Sequence, residues 1–572
     1  MDRHAAAHVL EQIADYLELK GENEFRVRAY RNAAHAVETY TGDFDDAVRS
    51  GGLGDVKGVG PATLEVVREC AASGRSAVLE RLQGEVPPGL VEMMRIAGLG
   101  VSKIRAIHDR LGIATIAELE VAARDGRLAE LPRFGEKTAA RILRGIEFLR
   151  RTGEFHLLHH ALRQAGPLCA AVARLPGIAA AEVTGSVRRR CELVRDIDLA
   201  VASALAPAEV SARVAGLPGV KDVVGAGDAT FTVHFDDGIG ARLYVGTPAQ
   251  FGHLLVRTTG TRAHLDALVR VAGQRGFALD ERGLARDGAI LPCPDEATLY
   301  RTLGLALVPA ELREGLGEVE RAAAGAIPRL VERGDLRGFI HCHTVFSDGA
   351  NTVAELADAA RAAGYAYLGV TDHSEAAAYA GGLAEEALLR QHAEIDALNA
   401  TQPGIRVLKG IEADILPDGA LDYSPEFLDR FDFVIASIHS RFDMDEKEMT
   451  ARMLRAMDDP HTAIIGHPTG RLLLQRDPYP LDMAAVIARA AERGIAIEIN
   501  ADPHRLDLDW RLCRQAQEQG VPIPIGADAH SIAGMANVDL GIGMARKAGL
   551  TKDDVLNTRD VEGFLAHARR RR

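Results

Sequence analysis

The sequence predicts a multidomain chain in which an all-α N-terminal part is followed by an α+β middle part and a C-terminal α/β barrel. The chain has 572 residues, which is too many for one hydrophobic core. Helical periodicity with Gly-rich turns fills the first 155 residues, and short β-branched runs separated by turn residues begin at residue 156. From residue 337 onward, apolar runs alternate with amphipathic helices, the pattern of buried parallel strands with crossover helices.

The composition is that of a soluble globular protein, with 47% hydrophobic and 26% charged residues. No apolar run is long enough to span a membrane, and the first residues lack the basic and apolar regions of a secretory signal. The six cysteines are far apart and form no CxxC pair, which argues against a disulfide framework. We therefore expect a cytoplasmic protein without a membrane partner, and the sequence leaves the oligomeric state open.

The formal net charge of −14 at first argues against binding to nucleic acid. Most of the excess acidic residues, however, lie in the last third of the chain, and the first two thirds carry nearly equal numbers of acidic and basic residues. A near-neutral front part can still present basic faces to phosphate.

The C-terminal part contains seven apolar runs, each followed by a helical pattern. They are GFIHCH, AYLGVTDH, RVLKGIEAD, FVIASIHS, AIIGHP, IAIEIN and VPIPIGADAH. Seven strand–helix repeats favour a closed, barrel-like α/β domain, in which the carboxyl ends of the strands share one face. Side chains that are distant in the sequence would then meet on that face.

Six of these seven runs carry, at or just after their end, side chains that can bind a metal ion. The residues are His341, His343, Asp348, His373, Glu412, His439, His467, Asp528 and His530. A single histidine at a strand end is more often structural, but nine such residues at six ends indicate a site for two or three divalent ions. Imidazole-rich ligation favours Zn, Mn or Fe over Ca or Mg, and such ions suit the hydrolysis of a phosphoester.

This pattern resembles the PHP (polymerase and histidinol phosphatase) family over roughly residues 337–565. The HxH…D, TDHS, GxExD, IHS, GHP and GxDAH motifs of that family match residues 341–348, 371–374, 410–414, 438–440, 466–468 and 526–530. The resemblance implies a distorted seven-stranded barrel with a trinuclear metal site. One ion would be held by His341, His343, Glu412 and Asp528, a second by Asp348, His373 and His530, and a third by Glu412, His439 and His467, with Glu412 bridging.

A helix, a turn rich in glycine and a second helix recur three times in the first 150 residues, at 52–67, 96–113 and 131–146. Backbone N–H groups at such turns can receive a phosphate without reading bases. The candidate DNA-binding residues are Lys57, Gly58, Gly60, Gly98, Gly100, Lys103, Gly135 and Lys137. Ordinary helix connections are the alternative for any one turn, and the three turns together resemble helix–hairpin–helix elements.

The segment VTGSVRRRCELVRDIDLAVAS, residues 183–203, predicts a site for nucleotide phosphates. Gly185 and Ser186 lie at a strand-to-helix turn whose backbone amides suit a phosphate, and Arg189 can balance phosphate charge. Asp196 and Asp198 alternate on a strand, so both carboxylates face the same way and can hold Mg²⁺ with a triphosphate. The spacing of the Gly-Ser turn, the arginines and the Asp pair is typical of a nucleotidyltransferase.

Together with the hairpins before it and the PHP-like part after it, this segment resembles the palm of a bacterial family X DNA polymerase. The resemblance implies repair of DNA gaps and ends, with dNTP polymerisation in the front part and a 3′→5′ exonuclease in the PHP domain. It implies that Gly185, Ser186 and Arg189 bind the incoming nucleotide and that Asp196 and Asp198 bind Mg or Mn. Mn or Zn, up to three ions, would fill the PHP site.

The expected domains follow from the same resemblance. They are an N-terminal helix–hairpin–helix domain (1–80), fingers with further hairpins (81–160), an α+β palm (161–245), a thumb (246–316), a linker (317–336) and the PHP domain (337–572). Two alternatives to a DNA-repair enzyme stay open, a small-molecule phosphatase of the histidinol-phosphatase type and a non-catalytic DNA-end bridging protein.

One departure from the family pattern bears on polymerisation. Alignment on the PAQFG segment, residues 248–252, places Arg242 where the family has its third catalytic Asp. In the family this carboxylate is the one placed to activate the primer 3′-hydroxyl. Arg242 therefore predicts that polymerisation is weak or lost. A fully competent gap-filling polymerase is the alternative, and the intact Ser186, Arg189, Asp196 and Asp198 favour it.

Overall fold

The computed structural model describes residues 3–571 except 39, 41–43, 74, 95, 97–98, 133, 236–237 and 402. The chain divides into two compact units. The first contains residues 1–154 with 474–476, and the second contains residues 155–473 and 477–572.

The first unit is all helical, as the periodicity predicts. Its helices within the described residues are α1 (Arg3–Lys20), α2 (Glu24–Glu38), α3 (Phe44–Ser50), α4 (Pro61–Ser73), α5 (Ala77–Glu85), α6 (Pro88–Met93), α7 (Val101–Leu111), α8 (Ile116–Arg124) and α9 (Glu136–Thr152). Apolar side chains from α1 to α9, such as Leu10, Ile104 and Ile142, form one buried cluster. The boundaries follow local chemistry, since Thr115 and Glu118 form a reciprocal capping box at the start of α8.

The second unit begins with a five-stranded sheet, named the palm sheet here, whose strand order is β2-β4-β7-β6-β5. The elements of this region are β1 (His156–Leu157), α10 (Leu158–Ala173), β2 (Ile178–Thr184), α11 (Gly185–Arg188), β3 (Leu193–Val194), β4 (Ile197–Ser203), α12 (Pro207–Ala215), β5 (Val220–Val224), β6 (Thr230–Phe235) and β7 (Ala241–Gly246). Strands β4 and β7 are parallel, and Asp198 on β4 lies beside Arg242 on β7.

Helices and a small antiparallel sheet follow the palm sheet. They are α13 (Phe251–Thr259), α14 (Arg262–Gln274), β8 (Ala278–Asp280), β9 (Gly283–Arg286), β10 (Ala289–Ile290), α15 (Glu296–Thr302) and α16 (Glu318–Ala323). Their apolar side chains form a separate buried cluster that includes Leu268, Leu299 and Val308.

The C-terminal part is a parallel sheet whose strands alternate with helices. The elements are β11 (Gly338–Cys342), α17 (Val353–Ala362), β12 (Tyr367–Val370), α18 (Glu385–Thr401), β13 (Arg406–Asp414), α19 (Pro425–Leu428), β14 (Phe433–Ser437), α20 (Glu446–Asp458), β15 (Thr462–Ile465), α21 (Met483–Arg493), β16 (Ala496–Ile497), β17 (Ile499–Asn500), α22 (Trp510–Glu518), β18 (Ile525–Ala529), α23 (Val538–Ala548) and α24 (Val561–Ala568). All seven predicted apolar runs contain strands, which confirms the α/β barrel-like fold.

The strand count differs from the expected seven because the sixth run is interrupted. Strand order in the sheet is β16-β15-β14-β13-β12-β11-β18-β17, so β16 and β17 lie at opposite edges. These two short strands are nevertheless neighbours in the chain, separated only by Glu498. The sheet is therefore a nearly closed barrel of eight strands, in which Glu498 marks the break.

Two further expectations concern the whole chain. The six cysteines are free thiols, so no disulfide joins them. Among the helices of the described residues, none is long and apolar enough to cross a membrane.

Candidate metal centre and nucleotide site

The barrel brings the nine predicted metal ligands to one face, at the carboxyl ends of its strands. His341 lies within β11 and Asp528 within β18, while His467 follows β15. These three residues have positive φ values of 59°, 50° and 23°, a region that non-glycine residues rarely adopt. Backbone strain of this kind is typical of functional sites, where the surrounding structure holds a side chain in a required direction.

The ligand atoms of the nine residues form four overlapping groups, and within each group they lie within 4.8 Å of one another. The groups are His343, Asp348, His373 and His530; His341, Glu412 and His467; His341, His343 and Asp528; and His373, Glu412 and His439. Each of the nine residues belongs to at least one group. The arrangement therefore offers several adjacent positions for cations.

Glu412 lies at the centre of these groups and is fully buried. Its Oε1 is 2.9 Å from Nε2 of His467, 3.3 Å from Nε2 of His439 and 3.4 Å from Nε2 of His341. Its Oε2 is 3.0 Å from Nδ1 of His373. Burial raises the pKa of Glu412, but the surrounding histidines outweigh this effect and hold it well below its ordinary value. Glu412 is thus an ionised carboxylate shared by several imidazoles.

Several imidazole nitrogens of the cluster are placed as cation ligands, while other nitrogens of the same rings make hydrogen bonds within the protein. Nε2 of His439 and Nε2 of His467 face each other at 3.3 Å, where two lone pairs repel unless a proton or a metal ion lies between them. Nε2 of His341 and Nδ1 of His343 are buried and lack a hydrogen-bond partner. Buried polar atoms are normally satisfied, so these atoms fit a site built for divalent ions.

A second layer of acidic side chains orients the histidines. Glu498 accepts a hydrogen bond from His341 Nδ1 at 2.5 Å and from the backbone N–H of His467 at 2.9 Å. Asp414 contacts Nδ1 of His439 at 2.6 Å in the same way. Such contacts fix the tautomer and the ring direction of metal-bound histidines. Gly526 is required here, because a Cβ at this position would collide with the carboxylate of Glu498.

The sequence indicates Glu498 and Asn500 as candidates for this second layer rather than as ligands, and it gives Asp414 no separate role. Glu498 and Asn500 end the sixth run, and Asn500 donates to Asp528 Oδ2 at 3.0 Å. The signal was available in IAIEIN, because an acidic residue inside a wholly apolar strand is costly unless it has a partner. Asp414 likewise sits two residues after Glu412, on the same side of β13.

The charges of the cluster set opposite protonation states for neighbouring histidines. Burial lowers the pKa of His341, but Glu498, Asp528 and Glu412 outweigh it and raise that pKa well above its ordinary value. Burial is likewise outweighed at His439, where Glu412 raises the pKa to about 9. At His343, burial and the charge of His530 lower the pKa to about 4. Without metal ions, protons therefore occupy some of the ring nitrogens that could bind metal, and divalent cations would compete with these protons.

The palm sheet places the predicted nucleotide residues together. Gly185 begins α11 directly after β2, with φ of +63°, and a Cβ there would collide with the carboxylate of Asp198. Burial, followed by the charge of Asp196, raises the pKa of Asp198 to about 6. Ser186 is the next residue of α11 and lies on the same turn.

Arg242 lies directly beside the two aspartates. It is paired with Asp198 in the strand register, and its guanidinium donates to Asp196 Oδ2 at 2.8 Å. The Tyr244 hydroxyl donates to Asp198 Oδ1 at 3.1 Å. The guanidinium of Arg242 and the hydroxyl of Tyr244 therefore lie beside the two carboxylates. A carboxylate in place of Arg242 would instead add negative charge for binding metal ions.

Arg189 makes contacts within the protein. Its Nε donates to Glu314 Oε1 at 3.0 Å, and its Nη1 donates to the carbonyl of Thr259 at 2.7 Å. Glu314 also receives Lys547 from α23, and Lys547 donates to the carbonyl of Arg189 at 3.2 Å. Arg189 therefore connects the palm sheet to the C-terminal part as well as lying next to Gly185 and Ser186.

The predicted DNA-binding turns of the first unit lie at helix starts. Gly100 and Gly135 precede α7 and α9, and neither helix start has a side-chain cap. Gly60 precedes α4, and Lys57 is exposed beside Gly58, whose φ is +105°. The first turns of α7 and α9 contain Lys103 and Lys137, respectively. Gly98 lies outside the described residues.

Comparison with known families agrees with these parts of the chain. Residues 1–76 match a helix-hairpin-helix domain, and residues 90–147 match a SAM-like helix-hairpin-helix tandem. Residues 254–314 match the DNA polymerase beta thumb, and residues 340–502 match the PHP domain. A relative from Bacillus subtilis, DNA polymerase/3'-5' exonuclease PolX, is 37% identical over 577 residues and covers 99% of both chains. The chain belongs to the PolX family of DNA polymerases.

Other relatives match a smaller share of this family X polymerase. A probable phosphatase from Acetivibrio thermocellus is 35% identical over 165 residues, which is 28% of this chain and 63% of the relative. A probable phosphatase from Thermoanaerobacter is 31% identical over 229 residues, which is 38% of this chain and 89% of the relative. The matches to phosphatases thus cover less than two fifths of this chain, whereas the match to PolX covers almost all of it. Helix–hairpin–helix and polymerase domains indicate binding to DNA, and PHP domains depend on metal ions.

Proposed function

We propose that this protein processes DNA gaps and ends and that its PHP domain is the metal-dependent 3′→5′ exonuclease. The observation that carries the proposal is the convergence of nine imidazole and carboxylate side chains into four overlapping groups on one face of the barrel. Phosphodiester hydrolysis is the chemistry that several adjacent divalent ions support best.

The proposed ligands are those predicted from the sequence. They are His341, His343, Asp348, His373, Glu412, His439, His467, Asp528 and His530. Six imidazoles favour Mn or Zn, in up to three positions. Bound ions would neutralise phosphate charge and lower the pKa of a water nucleophile. Glu498 and Asp414 contribute by holding His341 and His439 in the ligating direction.

The proposal for the palm site is that it binds nucleotide and Mg or Mn but polymerises weakly or not at all. Asp196 and Asp198 supply two carboxylates, and Gly185 and Ser186 supply a turn for phosphate. Arg242 removes one negative charge and adds a positive one within 2.8 Å of Asp196. A cation at this distance weakens metal binding and offers no base for a primer hydroxyl.

The proposed partners are gapped or end-containing duplex DNA and a dNTP. The hairpin turns at Lys57–Gly60, Gly100–Lys103 and Gly135–Lys137 would bind the DNA backbone through N–H groups and lysines. For Arg189 to bind a nucleotide, its guanidinium would have to exchange Glu314 for phosphate oxygens. We expect this exchange to make nucleotide binding at the palm weak.

A phosphatase acting on a small molecule is the second candidate. It is favoured by the probable phosphatase that is 31% identical to this chain over 229 residues, a length close to that of the expected PHP domain. It leaves the hairpins and the palm sheet without a role, and for this reason we place it second.

One gel assay separates these functions. The full-length protein is incubated with a 5′-labelled gapped duplex in Mn²⁺ or Mg²⁺, with and without dNTPs. His341→Ala/His343→Ala and Asp196→Ala/Asp198→Ala variants are run beside it, together with Arg242→Asp. We expect the wild type to shorten the strand, the His pair variant to lose this activity and the Asp pair variant to keep it.

The outcomes are distinct. Extension by the wild type that the Asp pair variant lacks would contradict the proposed loss of polymerisation. Extension that appears only in Arg242→Asp would support it. A wild-type protein that shortens DNA in neither metal would contradict the exonuclease and favour a small phosphoester as the substrate.

A further inference from the structure

Lys547 is a buried lysine on α23 that contacts the palm region rather than the metal centre. Its side chain is 1% exposed. Its Nζ donates to the carbonyl of Arg189 at 3.2 Å, contacts Oε1 of Glu314 and lies 4.8 Å from the centre of the Trp510 ring. A buried ammonium group is costly unless it has a partner, so these contacts account for its burial. They also place a charge from the C-terminal part beside the turn that carries the predicted nucleotide residues.

The carboxylate of Glu314 receives two cations on one oxygen. Its Oε1 accepts from Nε of Arg189 at 3.0 Å and also from Nζ of Lys547. Within the described residues, Glu314 is the only carboxylate at ion-pair distance from either cation. One negative charge balances one positive charge, so the three side chains together carry one unit of positive charge in excess. One of the two cations is therefore available for an anion while the other stays with Glu314.

Arg189 is the cation of this pair that lies next to the proposed phosphate turn. Its backbone N–H donates to the carbonyl of Gly185 at 3.1 Å, and the N–H of Cys191 donates to the carbonyl of Ser186 at 3.0 Å. The side chain of Arg189 is 15% exposed, whereas that of Lys547 is 1% exposed. Of the two cations, Arg189 is thus the one that an incoming nucleotide can reach.

Helix α23 also holds the backbone of this turn. Arg190 has a φ of 57°, in a region that non-glycine residues rarely adopt. Its side chain lies against Gly543 of α23, where an added Cβ would be 3.2 Å from Cδ of Arg190. Arg511 on α22 pairs with Glu192 at 3.4 Å. The segment 189–192 is therefore held against two helices of the C-terminal part, and its position is set before a nucleotide binds.

Lys547 decides what happens to Glu314 when Arg189 turns towards a phosphate. The side chain of Glu314 is 16% exposed, and a largely buried carboxylate that loses its only cation is destabilised. With Lys547 in place, Glu314 keeps a charged partner after Arg189 has left. The free energy needed to move the guanidinium of Arg189 is therefore smaller than it would be without Lys547.

We propose that Lys547 is a positioning residue of the nucleotide site, which keeps Glu314 paired and so allows Arg189 to bind the triphosphate of a dNTP. This proposal rests on the proposed function, because it starts from the binding of a nucleotide by the palm site. It goes beyond that function by assigning a side chain of the C-terminal part to nucleotide binding. Lys547 would not touch the nucleotide itself, since its ammonium group stays with Glu314.

The test measures the binding of labelled dTTP to the full-length protein in Mg²⁺ by equilibrium dialysis, and intact dTTP is quantified after each run. The variants are Lys547→Met, Lys547→Arg and the double variant Lys547→Met/Glu314→Gln. Lys552→Met is the matched control, because Lys552 is exposed. Asp196→Ala/Asp198→Ala tests whether the bound dTTP occupies the palm site, and the melting temperature of each protein reports on its folding.

We expect Lys547→Met to bind dTTP about tenfold more weakly than the wild type, because Glu314 then has only Arg189 as a partner. Lys547→Arg should bind dTTP more tightly than Lys547→Met, since it keeps the charge, and Lys552→Met should match the wild type. The double variant should bind dTTP at least as tightly as the wild type, because Arg189 then has no carboxylate to leave. A role of Lys547 in holding the domains together predicts the opposite, since the double variant removes more of that contact.

Two results would overturn the proposal. They are equal dTTP binding by Lys547→Met and the wild type, and a double variant that binds dTTP no better than Lys547→Met. Should Lys547→Met fail to fold, Glu314→Gln takes its place, and weaker dTTP binding than in the wild type would then overturn the proposal. A wild type that binds no dTTP, or whose dTTP binding survives Asp196→Ala/Asp198→Ala, would contradict the proposed nucleotide site together with this proposal. A wild type that does not shorten DNA would contradict the proposed exonuclease alone and leave this proposal standing.

Discussion

Glu498 offers a sharp test of how the barrel holds its metal ions. The perturbation is Glu498→Gln, which keeps the size of the side chain and removes its charge. In the structure, one carboxylate oxygen accepts from His341 Nδ1 at 2.5 Å and the other accepts from the N–H of His467 at 2.9 Å. A glutamine has only one acceptor oxygen, so one of these two donors would face an NH₂ group.

The magnitude follows from the role of these contacts. Glu498 is fully buried, so water cannot replace the lost acceptor. Loss of a carboxylate that orients a metal-bound histidine typically lowers metal affinity about 10- to 100-fold, which corresponds to about 1.4–2.7 kcal/mol. The carboxylate also raises the pKa of His341, although burial acts against it. We therefore expect the variant to bind Mn²⁺ about 10- to 100-fold more weakly than the wild type.

The assay is equilibrium dialysis of the full-length protein in chelator-buffered Mn²⁺, with bound metal measured by mass spectrometry. Glu518→Gln is the matched control, because Glu518 lies exposed at the end of α22. The melting temperature of the metal-free proteins separates metal affinity from folding. Equal Mn²⁺ affinity in Glu498→Gln and the wild type would refute the reasoning that Glu498 prepares His341 for a metal ion.

Three further predictions concern other parts of the second unit. Lys547→Met should destabilise the protein by about 2–3 kcal/mol. Leaving a buried charge with no partner typically costs ~3–5 kcal/mol, and the expected cost is smaller because Glu314 still pairs with Arg189 after Lys547 is removed. Burial lowers the pKa of His392 to about 4, so the folded protein favours the neutral imidazole. The contribution of the neutral imidazole to the free energy of unfolding is fully present above pH ~6.5, and it is lost as the pH falls towards 4. His392→Phe should therefore lose less stability between pH 7.5 and 5 than the wild type. Tyr379 is 72% exposed and its ring centroid is 6.2 Å from that of His439, so Tyr379→Ala should raise the KM for DNA about tenfold through loss of base stacking.

Each of these predictions has its own measurement. Urea unfolding of Lys547→Met is compared with that of Lys552→Met, whose lysine is exposed, and equal midpoints would contradict the first prediction. For His392→Phe, melting temperatures at the two pH values are compared, and the same pH dependence as the wild type would contradict the second. Tyr379→Phe should keep the KM of the wild type. If Tyr379→Ala changes the KM for DNA and the KM for bis-p-nitrophenyl phosphate by the same factor, that result would argue against stacking.

The sequence predicted the candidate metal ligands because each one is tied to a strand end. A parallel strand buried on both faces is a continuous apolar run, so the residue where it stops can be read directly. His373, His439 and His467 each follow such a run, and the structure gathers them around Glu412. Alternation along a strand indicated the Asp196–Asp198 pair, and in the structure Arg242 lies beside Asp198 in the strand register.

The contacts between side chains were decided by the tertiary structure. Glu498 interrupts the sixth strand and splits the expected single strand into β16 and β17, which a run of apolar letters does not reveal. Arg189 is read from the sequence as a phosphate ligand, yet its guanidinium meets Glu314, 125 residues further along the chain.

There is a physical reason why the sequence determined some features of the protein and the tertiary structure decided others. Strand periodicity, turn residues and ligand chemistry are local properties, so the sequence alone determined the kind of domains, their order and the residues with metal-binding chemistry. Hydrogen bonds and ion pairs such as those of Glu498 and Arg189 depend on distances across the fold, which no spacing along the chain encodes. The tertiary structure therefore decided which of the charged residues hold ligands in place and which hold domains together.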